Sequence, residues 1–426
     1  MESKSKMKSS LTQPLLELEA NNNESSLEES NTSFLKTVFN GINVILGNGV
    51  LIVAYALAHG GWLSLIVLFA IAGVATYTSL LLKRCMEVDP SIKTYSQVGE
   101  YAFGNVGNII VSIVLYGDLY MATTSYLISE GDNLHKLFPE FSIGAFGITI
   151  EGNSCFIIII ALVLLPTVLL DSLSILAYIS AAGVLASLII LGSILCVGVF
   201  DGIEFPQVEN QVPLFDWKGI TTAASLYMLC YSGQTVFPAV YTSMQKKHHF
   251  SKALFMSFAF STFIYVSMAV LGCLMFGSSV ESQITLNLPT RKLSSNVAIY
   301  TTLITPLVKY ALLLKPVVIS TEGWFPRRYQ TRWFNYIVRL TLVATQVVIA
   351  LAFPFFGYLL SLMGALLCTS AALTIPCLCY LKISSTNSKP RPVERIFIWG
   401  IVCISLVLLI SGTYISLFDI YVEITH

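Results

Sequence analysis

The most constraining feature of the sequence is a series of long segments that carry almost no charge. Eleven such runs, each 17 to 27 residues long, together hold 256 residues, and only four of these are charged. A helix of about 20 apolar residues is long enough to cross the hydrocarbon core of a bilayer. The runs are 37–58, 62–82, 107–129, 154–170, 174–200, 219–244, 253–276, 297–321, 333–353, 355–381 and 396–418. The sequence therefore predicts an all-α polytopic membrane protein with eleven transmembrane helices that lies in a lipid bilayer.

The segments between the runs have the composition of a soluble surface. They contain 44 charged residues among 170, which is close to the share of about 25% that soluble domains carry. The low whole-chain value of 11% charged residues is therefore an average over two environments. The formal net charge is zero, so the chain lacks the basic excess that nucleic-acid binding requires. Nucleic acid is not expected as a partner.

The basic residues predict the orientation of the chain. If the N-terminus is cytoplasmic, seventeen of the 24 Lys and Arg residues lie in cytoplasmic segments, four lie on the opposite side and three lie inside the runs. Short cytoplasmic loops retain basic residues, so this distribution favours a cytoplasmic N-terminus. Residues 1–33 contain six Glu, three Lys and no aromatic residue, which predicts a disordered cytoplasmic tail. The acidic residues assigned to non-cytoplasmic loops are Glu130, Asp132, Glu140, Glu151, Asp201, Glu204, Glu209 and Asp216.

Two of the runs contain residues that interrupt helices. In the first run Gly47 and Gly49 flank Asn48, and the sixth run reads CYSGQTVFPAV, with Pro238 near its middle. Glycine lowers helix stability by about 1 kcal/mol, and proline removes a backbone donor. Unpaired backbone is too costly to face lipid, so a broken helix at this depth is buried or lines a watery cavity.

The positions of the interruptions predict an inverted repeat. Five helices are an odd number, so a repeated five-helix unit inserts the second time in the opposite sense, and helices one and six then correspond. We expect a first repeat at 34–200, a second repeat at 201–382, and an eleventh helix with a short C-terminal tail at 383–426. Paired interruptions are typical of transporters whose substrate lies near the midplane. The alternative is that these glycines and the proline only permit close helix packing.

Unwound segments offer backbone groups to a charged ligand. Freed N–H groups and helix N-termini attract a carboxylate, and freed carbonyls attract an ammonium group or a cation. A zwitterion suits such a site. The candidate substrate-binding residues are Gly47, Asn48, Gly49, Val50, Tyr231, Ser232, Gly233 and Gln234.

Two charged residues near the middle of runs are candidates for coupling. Asp118 lies in the third run and Lys309 in the eighth, and an ionisable residue at this depth marks a functional site by default. Asp118 can carry a proton, contact the substrate, or be a structural acid that is hydrogen-bonded by nearby side chains. The candidate partners are Tyr116, Tyr120 and Thr124. Lys309 can replace a sodium ion, pair with an acid such as Asp118, or bond exposed carbonyls.

The sequence resembles the amino acid/auxin permease family. The similarity begins near residue 34 and runs to the end of the chain, and the vacuolar amino acid transporters of type one in plants and fungi are the nearest branch. The motifs that carry it are GINVILGNGVLIVAYAL, TYSQVGEYAFG, the DLY of the third run, SEGDNLHKLFPE, CYSGQTVFPAVYTSM and PLVKYAL. The resemblance implies eleven helices in a LeuT-like five-plus-five inverted repeat plus one extra helix.

The resemblance also implies a function. It predicts secondary transport of amino acids driven by a proton gradient, by symport or antiport, in the vacuolar membrane or alternatively the plasma membrane. A rival reading is an amino-acid sensor that binds without transport. We expect no cofactor, no metal and no enzymatic activity, because the connecting segments contain no metal-ligand cluster, nucleophile elbow or phosphate loop.

Three residues depart from the family pattern. Relatives usually have proline where this chain has Ala54, histidine where it has Gln234, and glutamate where it has Asp118. The kink of the first helix is therefore less enforced by its sequence. Gln234 does not titrate near neutral pH, so it does not carry protons.

Overall fold

A computed structural model describes residues 32–47, 49–141, 143–145, 148–150, 152–169, 176–200, 211–326, 331–353, 355–387 and 391–425. The helices are α1 Phe34–Ile45, α2 Gly49–Gly60, α3 Ser64–Val88, α4 Tyr95–Leu137, α5 Gly152–Leu169, α6 Leu176–Phe200, α7 Ile220–Cys230, α8 Phe237–Ser243, α9 Phe250–Phe276, α10 Ile284–Asn287, α11 Leu293–Gly323, α12 Arg332–Ala352, α13 Phe356–Met363, α14 Ile375–Asn387 and α15 Pro392–Thr425. Two short strands, β1 Ile143–Ala145 and β2 Ile148–Ile150, form an antiparallel hairpin. The predicted all-α class is confirmed, with this small hairpin as an addition.

Most of the predicted spans correspond to single long helices. Within the described ranges, nine helices are long and apolar enough to cross a membrane, and the bent pair α1–α2 brings the number to ten. The run 219–244 is instead divided between the short helices α7 and α8. The protein is a multi-pass integral membrane protein, and the exact number of eleven spans stays a prediction. Of the predicted tail at 1–33, only its last two residues are described.

The chain forms two compact units. Among the described residues, the first unit contains those within 119–179 and 303–354, and the second contains those within 33–118, 180–302 and 355–426. Both units combine segments that are far apart in sequence. The predicted repeats at 34–200 and 201–382 are therefore not the same division of the chain as these units.

The second unit is built around helix α2, whose residues are almost entirely buried. It packs against α7 and α9, and α9 also packs against α1. A turn at Gly61, whose φ of 76° suits glycine, leads from α2 into α3. The outer helices expose apolar side chains, as Ile66 on α3 and Val407 on α15 show with 67% exposure each. Such surfaces fit a hydrocarbon environment.

Helix α4 is kinked at Gly104. This residue has φ 66° and ψ −152°, so the amphipathic stretch Tyr95–Phe103 forms a helix of its own before the long apolar part begins. The two arms approach closely, because a Cβ atom at Gly99 would lie 2.8 Å from the carbonyl oxygen of Gly107. The stretch Tyr95–Phe103 is thus a helical arm separate from the apolar part of α4.

A polar network and an ion pair hold the helices of the first unit together. Buried Gln346 on α12 donates to the Thr123 hydroxyl of α4 at 2.6 Å and accepts from the Tyr310 hydroxyl of α11 at 2.5 Å. On the same helix as Gln346, Arg339 pairs with Glu322 at 3.1 Å. Helix α12 also packs against α5. These contacts join α4, α5, α11 and α12.

Candidate functional site

The first predicted interruption is present between α1 and α2. The two helices meet at an angle of 51°. Leu46 leaves helical geometry with ψ 78°, and the N–H of Gly47 bonds back to the carbonyl of Ile45 at 2.8 Å. The N–H groups of a first helical turn have no intrahelical acceptor. At the start of α2, Val50 donates to the Gly47 carbonyl at 3.4 Å. Asn48 lies outside the described residues.

The second predicted interruption is present between α7 and α8. Residues 231–236 are not helical, and Pro238 stands in the first turn of α8, where its missing N–H costs nothing. The N–H groups of Tyr231 and Ser232 bond to the carbonyls of Tyr227 and Leu229. The N–H of Gly233 bonds to the side chain of Gln234 at 2.9 Å. The carbonyl of Gly233 accepts from the N–H groups of Val236 and Phe237, so the carbonyl oxygens left for a ligand in this break include those of Tyr231 and Ser232.

The side chain of Gln234 makes hydrogen bonds within the protein. It is fully buried, accepts from Gly233, and donates through Nε2 to the carbonyl of Ala75 on α3 at 3.4 Å. The amide thereby holds the second break against α3. Of Gln234, therefore, only the backbone is available for a ligand.

A tyrosine on α9 joins the two breaks. The hydroxyl of Tyr265 lies 2.7 Å from the carbonyl oxygen of Ile45 and 3.0 Å from that of Cys230, the last residues of α1 and α7. A hydroxyl has one proton to donate, so the two carbonyls share it. One turn earlier, Thr262 accepts from the Tyr231 hydroxyl at 2.9 Å. The two interruptions predicted from sequence are therefore brought together on one face of α9.

The glycines of the first break have opposite surroundings. A Cβ atom at Gly49 would lie 2.7 Å from the Tyr265 hydroxyl and 3.0 Å from the backbone Cα of Cys230. At Gly47 it would meet no atom of the described residues within 4 Å. Gly49 therefore permits the close approach of α2 and α7, and Gly47 borders open space.

Two buried polar side-chain atoms on helices α1 and α9 lack hydrogen-bond partners among the described residues. The Oδ1 atom of Asn43, one helical turn before Gly47, is buried and has no hydrogen-bond partner in the described part of the chain. The hydroxyl of Ser261, one turn before Tyr265 on α9, is in the same condition. Buried polar atoms normally have partners, so such atoms are available to a ligand.

Ala54 does not interrupt its helix. Helix α2 continues from Gly49 to Gly60 through this position. The carbonyl of Ala54 accepts from the Cys273 thiol of α9 at 3.4 Å. The bend of the first span therefore lies entirely at the glycine-containing break.

Asp118 is buried in the second unit. It is 8% exposed, and its carboxylate accepts from the thiol of Cys368 at 3.4 Å. Cys368 ends a π-helical stretch, Gly364–Cys368, and such stretches occur frequently at functional sites. The predicted bonds from Tyr120 and Thr124 are not formed. Tyr120 donates to Thr345, and Thr124 donates to the carbonyl of Tyr120, because their positions turn them toward α12 and their own helix.

Lys309 is buried in the first unit, on α11. It is 9% exposed, and it makes no hydrogen bond or ion pair with the residues that the structure describes. The two coupling candidates thus belong to different units.

Sequence reasoning misses two buried residues, one in each unit. Tyr265 was absent from the predicted site because one apolar run gives no indication of what it contacts in another. Glu130 was assigned to a loop, whereas the structure places it inside α4, fully buried. Its helix continues to Leu137, beyond the predicted end of the run. The period-3.6 spacing of Leu127, Glu130 and Leu134 was the available signal.

A multi-pass helical fold with two adjoining broken helices is typical of membrane transporters. The model of the family described as transmembrane amino acid transporter protein matches residues 30–418. The chain belongs to this family, and with it to a class of transporters rather than enzymes.

Curated relatives agree with the family assignment. Amino acid transporter AVT1I of Arabidopsis thaliana is 49% identical over 91% of this chain and 95% of its own length. Amino acid transporter AVT1J of the same plant is 47% identical over 96% of this chain and 98% of its own. Among solved structures, a manganese transporter from Eremococcus coleocola matches with a TM-score of 0.47 and 12% identity, over 91% of this chain and 96% of that chain. A match that distant carries no conclusion about the fold.

Proposed function

We propose that the protein is a secondary active transporter that moves amino acids across a membrane by alternating access, with protons as the coupled ion. The observation that carries this proposal is that the Tyr265 hydroxyl contacts the ends of both broken helices, and that Gly47 in the first break borders open space. The family and the names of the relatives support amino acids as the substrate. The proton gradient is the driving force in this proposal, and no cofactor takes part.

The two breaks suit opposite ends of a zwitterion. The stretch Gly47–Val50 offers the N-terminus of α2, where N–H groups and the helix dipole favour a carboxylate. The stretch Tyr231–Gln234 has its first three N–H groups occupied and offers carbonyl oxygens, which favour an ammonium group. We assign Gly47, Asn48, Gly49 and Val50 to the substrate carboxylate. The residues assigned to the ammonium group are Tyr231, Ser232, Gly233 and Gln234.

The packing of corresponding helices supports the inverted repeat. In a repeat of 34–200 and 201–382, the first span corresponds to the sixth and the fourth to the ninth. Helix α2 of the first span packs against α7 of the sixth, and α5 of the fourth packs against α12 of the ninth. Each pair lies within one unit, as expected for helices related by a pseudo-twofold axis. The segment 383–426 adds the final helix.

Asp118 and Lys309 are the residues to which we assign coupling. Each is a buried ionisable group in a spanning helix with few partners or none in the described residues, and such groups are expensive to place in a membrane. The vacuolar membrane is the proposed location, with the plasma membrane as the alternative. The N-terminus is placed in the cytoplasm by the distribution of basic residues.

Reconstituted vesicles test the function. The purified protein is incorporated into liposomes, a pH gradient is imposed with the membrane potential held at zero, and uptake is measured for a mixture of the twenty labelled amino acids. We expect accumulation above the outside concentration that disappears when the gradient is collapsed. Saturable binding with no accumulation and no exchange would instead identify a sensor.

A further inference from the structure

Glu130 is a fully buried acid without a partner. It lies within α4 in the first unit, has no exposed surface, and neither oxygen of its carboxyl group has a hydrogen-bond partner among the described residues. Buried polar groups in native proteins are almost always hydrogen-bonded. An unpartnered buried acid therefore requires an explanation other than packing.

Two side-chain amides near Glu130 donate to other acceptors. Asn133, one turn later, donates to the carbonyl of Ser129 at 2.7 Å. Helix α5 packs beside Glu130, because a Cβ atom at Gly131 would lie 2.6 Å from the Ile157 side chain. On that helix, Asn153 donates to Asp132 at 2.8 Å rather than to Glu130. The carboxyl group thus lies in surroundings that do not stabilise a negative charge.

The titratable groups in the neighbourhood are few. On its own helix they are Tyr126 one turn before, Asp132, His135 and Lys136, and Asp132 is itself engaged by Asn153. Helix α5 contains no charged residue, and Cys155 is its one titratable side chain. A lone carboxylate in such a place is strongly unfavourable unless it is paired, so the favourable form is the neutral acid.

We infer that Glu130 is a proton-binding site of the transporter, separate from Asp118. In the conformation described here its carboxyl group holds one proton. When the site opens to water during the transport cycle, water stabilises the charged carboxylate and the proton leaves. Glu130 takes up a proton again when its carboxyl group is buried. The inference rests on the proposed proton-coupled function and adds to Asp118 a second group that binds the transported proton.

The test compares Glu130→Gln with the wild type in liposomes. Glutamine keeps the shape of the neutral acid and cannot release a proton. A carrier coupled to one proton concentrates its substrate about tenfold across a gradient of one pH unit. We expect the wild type to approach this ratio with a labelled mixture of the twenty amino acids and Glu130→Gln to fall to about one, while exchange of labelled for unlabelled amino acids is still measurable. Glu140→Gln, which removes a charge from an exposed position, serves as the matched control and keeps the wild-type ratio.

The outcomes separate the inference from the proposed function. If the wild type neither accumulates nor exchanges amino acids, transport itself is refuted. If it exchanges without accumulating, proton coupling is refuted. If the wild type and Glu130→Gln accumulate equally, Glu130 is not the proton site although the proposed function stands.

A second measurement tests the inference if the Glu130→Gln variant does not fold. The carbonyl stretching band of a neutral carboxyl group is recorded by infrared spectroscopy for the wild type and for Glu130→Asp at neutral pH. We expect a band that shifts in frequency with this substitution. Identical spectra would show that residue 130 is not protonated and would overturn the inference.

Discussion

At the scale of single residues, Gly47 and Gly49 show how two positions in one short segment can have opposite surroundings. The two positions are separated by a single residue, yet one borders open space and the other touches Cys230 and Tyr265. An added methyl group therefore tests the role of each position separately.

We predict opposite effects of alanine at these two glycines. Gly49→Ala forces the backbone of Cys230 and the Tyr265 hydroxyl apart, and we expect it to destabilise the protein by about 1–3 kcal/mol, as overpacking does in other cores. Gly47→Ala meets no atom of the described residues and should leave the thermal unfolding temperature near that of the wild type. It should raise the KM for amino acid exchange, because the methyl group occupies substrate space. The reverse pattern of stability and KM would refute the assignment.

A second prediction at this scale concerns Asp118. Asp118→Asn preserves the shape of the side chain and removes its ability to ionise. We expect transport to lose most of its dependence on pH while substrate affinity changes little. The measurement is amino acid uptake as a function of external pH, with Glu281→Gln, an exposed substitution, as the control. A full pH response in Asp118→Asn would make Asp118 a structural acid that accepts from Cys368.

At the scale of helices, Tyr265 connects the two broken spans by hydrogen bonds. Its hydroxyl is shared by the terminal carbonyls of α1 and α7. Its ring also packs edge-on against Tyr231, with centroids 5.5 Å apart. The hydrogen bonds of the hydroxyl and the packing of the ring therefore contribute separately to holding the two breaks together.

We predict that Tyr265→Phe loosens the breaks without removing the packing. Leaving a buried carbonyl without its donor costs about 1–3 kcal/mol, so the thermal unfolding temperature should fall and transport should slow. Tyr300→Phe on α11 removes a hydroxyl from a side chain that is 52% exposed and should change neither property. Equal behaviour of the two variants would show that the Tyr265 hydroxyl does not hold the breaks.

The sequence predicts the elements of this fold better than their contacts. Charge-free runs locate the spans because the bilayer imposes their length and composition, and Gly47, Gly49 and Pro238 locate the breaks because they weaken helices. The role of Tyr265 depends on which helix faces which, and apolar runs carry little information about that. The sequence predicts a loop at Glu130 because the apolar run ends at residue 129. The helix itself extends past the end of that run, to Leu137.

At the scale of the whole molecule, the topology of the chain gives a sharp prediction. The sequence predicts eleven spans, an odd number that puts the two ends on opposite sides of the membrane, and the distribution of basic residues predicts a cytoplasmic N-terminus. In sealed membrane vesicles with the cytoplasmic face outward, a tag before Met1 should be digested by added protease and a tag after His426 should be protected. Digestion of both tags would mean an even number of spans and would contradict the count of eleven.

Competition with altered amino acids tests the central claim most directly, because the claim is that the two breaks hold the charged ends of a zwitterion. Exchange of a transported amino acid is measured in liposomes in the presence of the same amino acid, its methyl ester, which lacks the carboxylate, or its N-acetyl derivative, which lacks the ammonium group. The account predicts that only the unmodified amino acid competes strongly. Equal competition by the methyl ester or by the N-acetyl derivative would contradict it.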